Sequence, residues 1–319
     1  MKLSEKEGAI LAAAELRAEA PISLLRKESG YREHTIRYAL KRLADRRVIV
    51  PIPFVNLHVL GYTIFNLFFS IGSQKQATKN ALMKAFQSSG EVLWIGEFGG
   101  EFQYGIAICG KRIGEVLELV ESLSRKFQDV FFEKAVSCQF SARIYHRKYL
   151  AARKYSVQPL VCRFTKEIVE IDELDDRILR AMATFGDLSH RQLALKVQIP
   201  LSTLDLRLRK LSERGVIAGH IFAVDPSKFG VQAFKLLIYG KGISGELSTG
   251  LARYAEAHPH VTYLIECLGT WDYEIGVEVQ RAEDVTAIIQ DLYEQFGANI
   301  NTIKLLSKFR DVKFRWYPG

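Results

Sequence analysis

The chain of 319 residues has only four cysteines, at positions 109, 138, 162 and 267, and no two form a Cys-x-x-Cys pair. Cysteine and histidine nowhere stand at ligand spacing, so no metal site is expected. The thiols are scattered among apolar neighbours and read as buried and reduced, as in a cytosolic protein. Long apolar runs are also missing. The longest, Gly61 to Ile71, is interrupted by Asn66 and is too short to cross a bilayer. The opening MKLSEKEGAI lacks the apolar core of a signal peptide. A soluble, cytoplasmic protein without membrane contact is expected. Catalytic signatures are absent too. Gly99-Gly100 lacks the Lys-Ser/Thr of a phosphate loop, and there is no nucleophile elbow. Neither a catalytic residue nor a cofactor is expected.

Hydrophobic residues make up 48%, enough to exclude a disordered chain. The length suits two to four small domains. The net charge of +8 suits a polyanionic partner, although charge alone does not separate that reading from a merely basic protein.

The chain repeats itself. Leu43-Ala44-Asp45-Arg46-Arg47-Val48-Ile49 lies over Leu211-Ser212-Glu213-Arg214-Gly215-Val216-Ile217, an offset of 168. Gly61 lies over Gly230, and GGEFQYGIAI (99–108) over LGTWDYEIGV (268–277), both at 169. One inserted residue in so long a register makes residues 1–143 and 172–312 two copies of one architecture.

Each copy opens with three helical patterns. In copy two, Ile171, Leu174, Ile178, Leu179 and Met182 recur at helical spacing, and Gly186-Asp187 is read as ending that helix. Ser189 is read as the cap of the next helix, and Pro200 stands near the start of the third. In copy one, Ser4 and Glu7 form a capping box and Pro21 opens the second helix. Ile36, Leu40 and Leu43, and correspondingly Leu204, Leu208 and Leu211, mark the buried stripes of the third helices. The outward arcs carry His34, Thr35, Arg37, Lys41 and Arg42 in copy one, and Ser202, Thr203, Asp205, Arg209 and Lys210 in copy two, with Arg207 also assigned to the DNA face. A third helix with a polar, cationic outer arc fits a major groove, where short polar groups reach base edges and Arg or Lys reach phosphates. A solvated face on an ordinary three-helix bundle is the alternative. The recurrence at matched positions favours double-stranded DNA. Residues 1–50 carry +4 and residues 172–220 carry +1, so the two heads are expected to differ in preference, with copy one contributing more non-specific affinity.

After an extended segment, each copy reads strand, helix, strand, strand, helix, strand, the ferredoxin-like order. The expected class is therefore α+β: two winged helix-turn-helix domains (1–57 and 172–226) and two ferredoxin-like βαββαβ effector domains (58–143 and 227–312) in tandem, joined by a linker at 144–171. Residues 142–167 carry seven Lys/Arg (143, 147, 148, 153, 154, 163, 166) against Glu167, interleaved with Tyr145, Tyr149 and Tyr155. This stretch reads either as a DNA-backbone contact or, the favoured reading, as a connecting helix packed on copy one with solvated charges.

IDELDDRILRAM, LSHRQLALKVQIPLSTLDLRLRKLSERGVIAGHIFAVDPSKFG and LGTWDYEIGV together resemble the Lrp/AsnC, or feast/famine, regulators over nearly all of copy two; copy one matches in architecture and register. The resemblance implies a transcription regulator that dimerises through its effector sheets, here as a pseudo-dimer within one chain, and assembles further. It also implies a small-molecule effector, such as an amino acid, near Gly269, Thr270, Trp271, Asp272 and Tyr273. Asp272 suits an amine and the N–H groups around Gly269 a carboxylate. A tight turn in which Asp272 only satisfies local geometry is an equal alternative. In copy one Gln103 stands at the Asp272 position and cannot form the ion pair.

Siroheme decarboxylases resemble this fold and are the enzymatic alternative. Tetrapyrrole chemistry would call for a general acid, and His58, His146, His190, His220, His258 and His260 form no evident cluster.

Overall fold

A computed structural model describes residues 2–72, 75–127, 131, 133–153, 155–185, 188–242 and 245–319. The expected helix end at Gly186-Asp187, and Lys154 of the basic stretch, lie outside the described residues. The first trio is α1 (Glu5–Ala14), α2 (Ile22–Ser29) and α3 (Glu33–Asp45), and the second is α6 (Glu173–Thr184), α7 (His190–Val197) and α8 (Leu201–Glu213). Ser4 and Glu7 form the capping box that starts α1, and Ser189 with Gln192 forms one at α7. The turn between second and third helices takes a left-handed residue at matched positions, Gly30 (φ 76°) and Gln198 (φ 60°).

The sheet strands of copy one are β2 (Thr63–Ser70), β3 (Val92–Gly99), β4 (Tyr104–Gly110) and β5 (Glu133–Ile144), with α4 (Gln76–Ser88) and α5 (Ile113–Phe127). Those of copy two are β8 (Gln232–Gly240), β9 (Val261–Gly269), β10 (Tyr273–Val279) and β11 (Ile300–Phe314), with α9 (Gly245–Ala257) and α10 (Asp284–Phe296). The strands run β2-β4-β3-β11-β8-β10-β9-β5, and β5 pairs back to β2. Each ferredoxin-like sheet is open by itself. Joined at β3–β11 and β5–β9, the two close into an eight-stranded ring, which removes the exposed edges that each copy alone would carry. One face of each sheet is covered by its own helices, as Leu82 and Phe86 cover Ile95 and Ile106, or Leu251 and Leu292 cover Ile275. The other face lines the ring, where Phe68, Phe98, Phe102, Leu237, Trp271 and Leu306 pack together.

The junctions need close backbone approach. Gly269 (φ 151°) abuts Val136, whose carbonyl oxygen would lie 2.6 Å from a Cβ there; Gly100 (φ 123°) meets the Leu305 carbonyl at 3.0 Å, 169 residues along from Val136. A side chain at either position would push the two copies apart.

The helical trios cross over. The extended segments β1 (Ile49–Val55) and β7 (Ile217–Val224) pair with each other, so the connector of one copy is zipped to that of the other. The second trio then packs its Ile178, Leu179 and Leu208 against Val55, Leu60 and Leu93 of copy one. The first packs Ile10, Leu11 and Ile36 against Phe222, Phe229 and Val231 of copy two.

The stretch expected as a connecting helix is not one. It holds a 3₁₀ turn at Lys148–Leu150 and β6 (Leu160–Arg163), which extends the sheet beyond β5. Three of its basic residues are not solvated as expected: Arg147 is buried between Glu15 and Glu278, Arg143 pairs with Glu266, and Lys148 donates to the carbonyls of Ala255 and Val261, whereas Arg153, Arg163 and Lys166 are exposed. The tyrosine spacing serves packing, since Tyr145 is buried and Tyr149 donates to Glu278 at 2.6 Å. Among the described residues, no helix is long and apolar enough to cross a membrane, and no group of three or more His, Cys, Asp or Glu is arranged to hold a metal.

His146 lies buried in this stretch, and burial, aided by Lys148 and Arg17, lowers its pKa to about 4. The unfolded chain takes up that proton near pH 6.5, so this contribution to stability is intact above 6.5 and is lost as pH falls toward 4. The loss is on the order of 3 kcal/mol. In urea unfolding at a series of pH values, His146→Gln is expected to lack this part of the acid dependence. A pH slope identical to the parent's contradicts it.

Candidate nucleic-acid interface

The third helices present matched outward faces. On α3, His34, Arg37, Tyr38 and Lys41 are exposed and Thr35 is half-buried; on α8, Ser202, Asp205, Leu206, Arg209 and Lys210 are exposed and Thr203 is half-buried. Lys41 and Arg209 sit at equivalent positions, 168 apart, and neither has an acidic partner among the described residues. Arg37 lies 3.7 Å from Glu33, one turn earlier, in an exposed pair of little energetic weight. Asp205 accepts from or pairs with His190 Nδ1 at 2.8 Å, so it ties α8 to the start of α7.

Two expected DNA contacts are turned elsewhere. Arg207 reaches the start of α6, bonding Asp172 and, at 3.2 Å, the buried Asp175. The backbone N–H of Asp175 and the Arg207 guanidinium together hold the Asp172 carboxyl below its usual range. Arg42 is drawn back to Glu7 at 3.4 Å, with Arg46 at 3.6 Å. Burial alone would raise the pKa of Glu7, but the Ser4 bonds and both arginines outweigh it and lower it. Glu7 and Asp175 are equivalent positions, so each trio fastens its third helix to its first through one buried carboxylate. Arg42 and Arg207 therefore position the third helices on their trios.

Helical periodicity also passes over two residues. Tyr38 is 67% exposed and Leu206 42%, at matched positions in the middle of the polar arcs. A large apolar side chain kept exposed at the same point of both helices suits contact with thymine methyl groups. The 168-residue register marks the pair, but a buried-stripe pattern assigns apolar residues to the core.

The loop expected to hold an effector is a junction. Trp271 and Tyr273 are buried, and the Trp271 ring N–H donates to Glu274 at 3.0 Å. Thr270 exchanges bonds with the backbone of Val136, and the backbone N–H of Trp271 donates to Ser137 Oγ at 3.0 Å. Asp272 Oδ2 accepts from the N–H of Gly240 at 2.7 Å. Gln103 does the same work in copy one, accepting from Ile71 N at 3.3 Å. Asp272 thus has the turn role, which explains why an uncharged residue serves at the equivalent place. Gly269 is packed on the other copy rather than open to a carboxylate.

Inside the ring, Lys235 and Glu274 form a buried ion pair. Burial opposes the Lys235 charge, but Glu274 outweighs it and the ammonium is held charged. Asn66, at the position equivalent to Lys235, donates to Glu274 at 2.7 Å. The pair therefore sits where the two copies meet.

No protein-family model matches the chain. The Bkd operon transcriptional regulator of Pseudomonas aeruginosa is 34% identical over 118 residues, covering 35% of this chain and 74% of that protein. The HTH-type transcriptional regulator FL11 of Pyrococcus horikoshii is 28% identical over 119 residues, covering 37% and 76%. Such relatives span less than half of this chain, as expected of single copies set against a duplicated one. The crystal structure of the siroheme decarboxylase NirDL covers 98% of this chain and 94% of its own, with a TM-score of 0.61 at 14% identity. That likeness shows the fold, duplication included.

Proposed function

Because the chain belongs to the Lrp/AsnC family of transcription regulators, we propose that it binds double-stranded DNA with α3 and α8 in successive major grooves. The observation that carries this is the matched pair of free, exposed cations, Lys41 and Arg209, on third helices fastened to their trios in the same way. Two heads on one closed ring meet half-sites on one face of the duplex, about 10 bp or a multiple apart. Since the arcs differ, the half-sites differ. Arg37 and Tyr38 read one, and Thr203 and Leu206 the other.

Footprinting on an operator mapped from genomic fragments tests this. Arg37→Ala or Tyr38→Ala is expected to relax base preference within one half-site, and Thr203→Ala or Leu206→Ala within the other. If all four footprint as the parent does, the third helices are not the reading elements.

The regulator acts in the cytoplasm, responds to a small-molecule effector such as an amino acid, and assembles beyond the single chain. It does so without catalysis. The siroheme decarboxylase likeness is one of fold, at an identity too low to transfer an activity. Incubation with siroheme followed by chromatography is expected to return it unchanged; decarboxylated product would establish the enzyme instead.

A further inference from the structure

A cavity of about 210 Å³ lies where the mouth of the strand ring meets the connector of the first trio. Phe54, Leu57, Leu93 and Phe314 give it an apolar wall. Much of the rest is built from matched residues, one from each copy at the 169-residue offset: Trp94 with Tyr263, Lys308 with Gln139, and Asp311 with Ala142. The strand pairing makes these matches structural. Lys308 stands opposite Phe98 and Asp311 opposite Gly96. Gln139 stands opposite Cys267 and Ala142 opposite Ile265, again 169 apart, with a register shift at the same point of both pairings.

The two halves differ in one respect. In the first, two donors close on a carboxylate: the Trp94 ring N–H donates to Asp311 Oδ1 at 2.8 Å, and the Lys308 ammonium to Oδ2 at 2.7 Å. In the second, Ala142 stands at the position of that carboxylate, so the donors that correspond to Trp94 and Lys308 have no such acceptor. The Gln139 carboxamide bonds nothing among the described residues. The Tyr263 hydroxyl has the Lys235 ammonium beside it, which cannot accept. Burial pushes the Tyr263 phenol up to about 12, so it keeps its hydrogen. Unlike the ring nitrogens of His58 and Trp316, which are sealed within the protein, both groups keep open surface.

Charge has gone from the second half together with the acceptor, since Gln139 and Ala142 replace a cation and an anion. The lysines lining the cavity are already matched, Lys235 by Glu274 and Lys308 by Asp311, and the Arg315 guanidinium is turned to the Gly319 carbonyl. An anion entering here would be desolvated with no free cation to meet it. A neutral acceptor would not. An apolar cavity of about 150 Å³ takes a benzene ring, so this one has room for a ring and a short polar group.

We propose that the cavity binds a small uncharged molecule made of an apolar ring and one carboxamide, whose carbonyl oxygen stands where the Asp311 carboxylate stands in the other half. That oxygen accepts from Tyr263 and Gln139, the carboxamide N–H donates to the Gln139 side-chain oxygen, and the ring lies on the apolar wall. This deepens the reading above, in which the chain responds to a small-molecule effector, and it rests on that reading for the coupling to DNA. Phe54 lies on β1, which is zipped to β7 of the second trio. An occupant therefore touches the element that sets the two heads relative to each other, and occupancy is expected to change DNA affinity.

Calorimetry on the full chain tests the site, with benzamide, benzoate and toluene as probes of one ring size. Benzamide is expected to bind about tenfold or more tightly than toluene, which leaves both donors unmet, and than benzoate, which brings an unmatched charge. Gln139→Leu and Tyr263→Phe should each remove most of that advantage over toluene while toluene binding persists. Ala142→Asp supplies the carboxylate from the chain itself and should abolish benzamide binding; if it melts early, the other two variants carry the test. No binding of benzamide by the parent overturns the site, as does an unchanged preference in folded Gln139→Leu and Tyr263→Phe. Benzoate bound as tightly as benzamide overturns the uncharged class. Gel shifts with and without benzamide separate the two readings. Benzamide binding with unaltered DNA affinity overturns the coupling. A chain that binds benzamide but no DNA under any condition counts against the reading heads and leaves the cavity site standing.

Discussion

Arg147→Ala is expected to lower the unfolding free energy by about 3–5 kcal/mol, the usual result of leaving a buried charge without its partner. Arg147 is 9% exposed. Its Nε and Nη2 grip Glu278 at 2.7 Å each, its Nη1 pairs with Glu15, and its backbone N–H donates to Glu15 at 2.7 Å. The residue thus binds the end of α1 to β10 through the interdomain stretch. Without it two carboxylates face each other in the interior, with the Tyr149 hydroxyl and one backbone N–H as their remaining donors. Burial already pushes the Glu15 carboxyl up, offset in part by Arg147, so the loss should be largest at neutral pH and shrink in acid as Glu15 takes a proton. Replacing the whole network, with Arg147→Met, Glu15→Gln and Glu278→Gln together, should recover most of the stability, because no uncompensated charge remains. Urea unfolding of the single and triple variants decides. A single variant within about 0.5 kcal/mol of the parent, the scatter of an ordinary surface change, sinks the account.

Neutralising Lys41, Arg209 and Lys210 together is expected to flatten the plot of log affinity against log salt by about three units, close to one for each phosphate no longer neutralised. These three are exposed on the arcs of α3 and α8. The informative control is the pair Arg42→Ala and Arg207→Ala. They carry the same charge and lie on the same helices, but they are committed to Glu7 and to Asp172 and Asp175. Removing them should leave the salt slope nearly unchanged while lowering thermal stability. Fluorescence anisotropy across a salt series distinguishes the two sets. Equal slope changes would mean that formal charge, not placement, governs binding.

The stretch at 142–167 shows why composition misleads. Seven cations against one acid resemble a DNA-binding tether, yet Arg143 and Arg147 are held by Glu266, Glu15 and Glu278, each more than a hundred residues away along the chain. No local pattern carries that information, because the partners are brought together only when the ring closes. The same holds for Asp272. Its character as a cap for Gly240 becomes legible only when Gln103 is seen in the same role.

The sequence alone determined what depends on local spacing and on repetition. Helical periodicity, caps at Ser4 and Ser189, and alternating strands are properties of a few consecutive residues, and the 168–169 register doubles each signal. It also determined that the third helices carry a polar, cationic arc, since the buried stripe leaves only one other side. The tertiary structure alone decided which charges on that arc are free, how the connectors cross so that each trio rests on the other copy, and where a cavity remains. Those outcomes depend on contacts between residues far apart in the chain, and a one-dimensional pattern holds no record of which distant carboxylate, backbone edge or ring nitrogen each residue will meet.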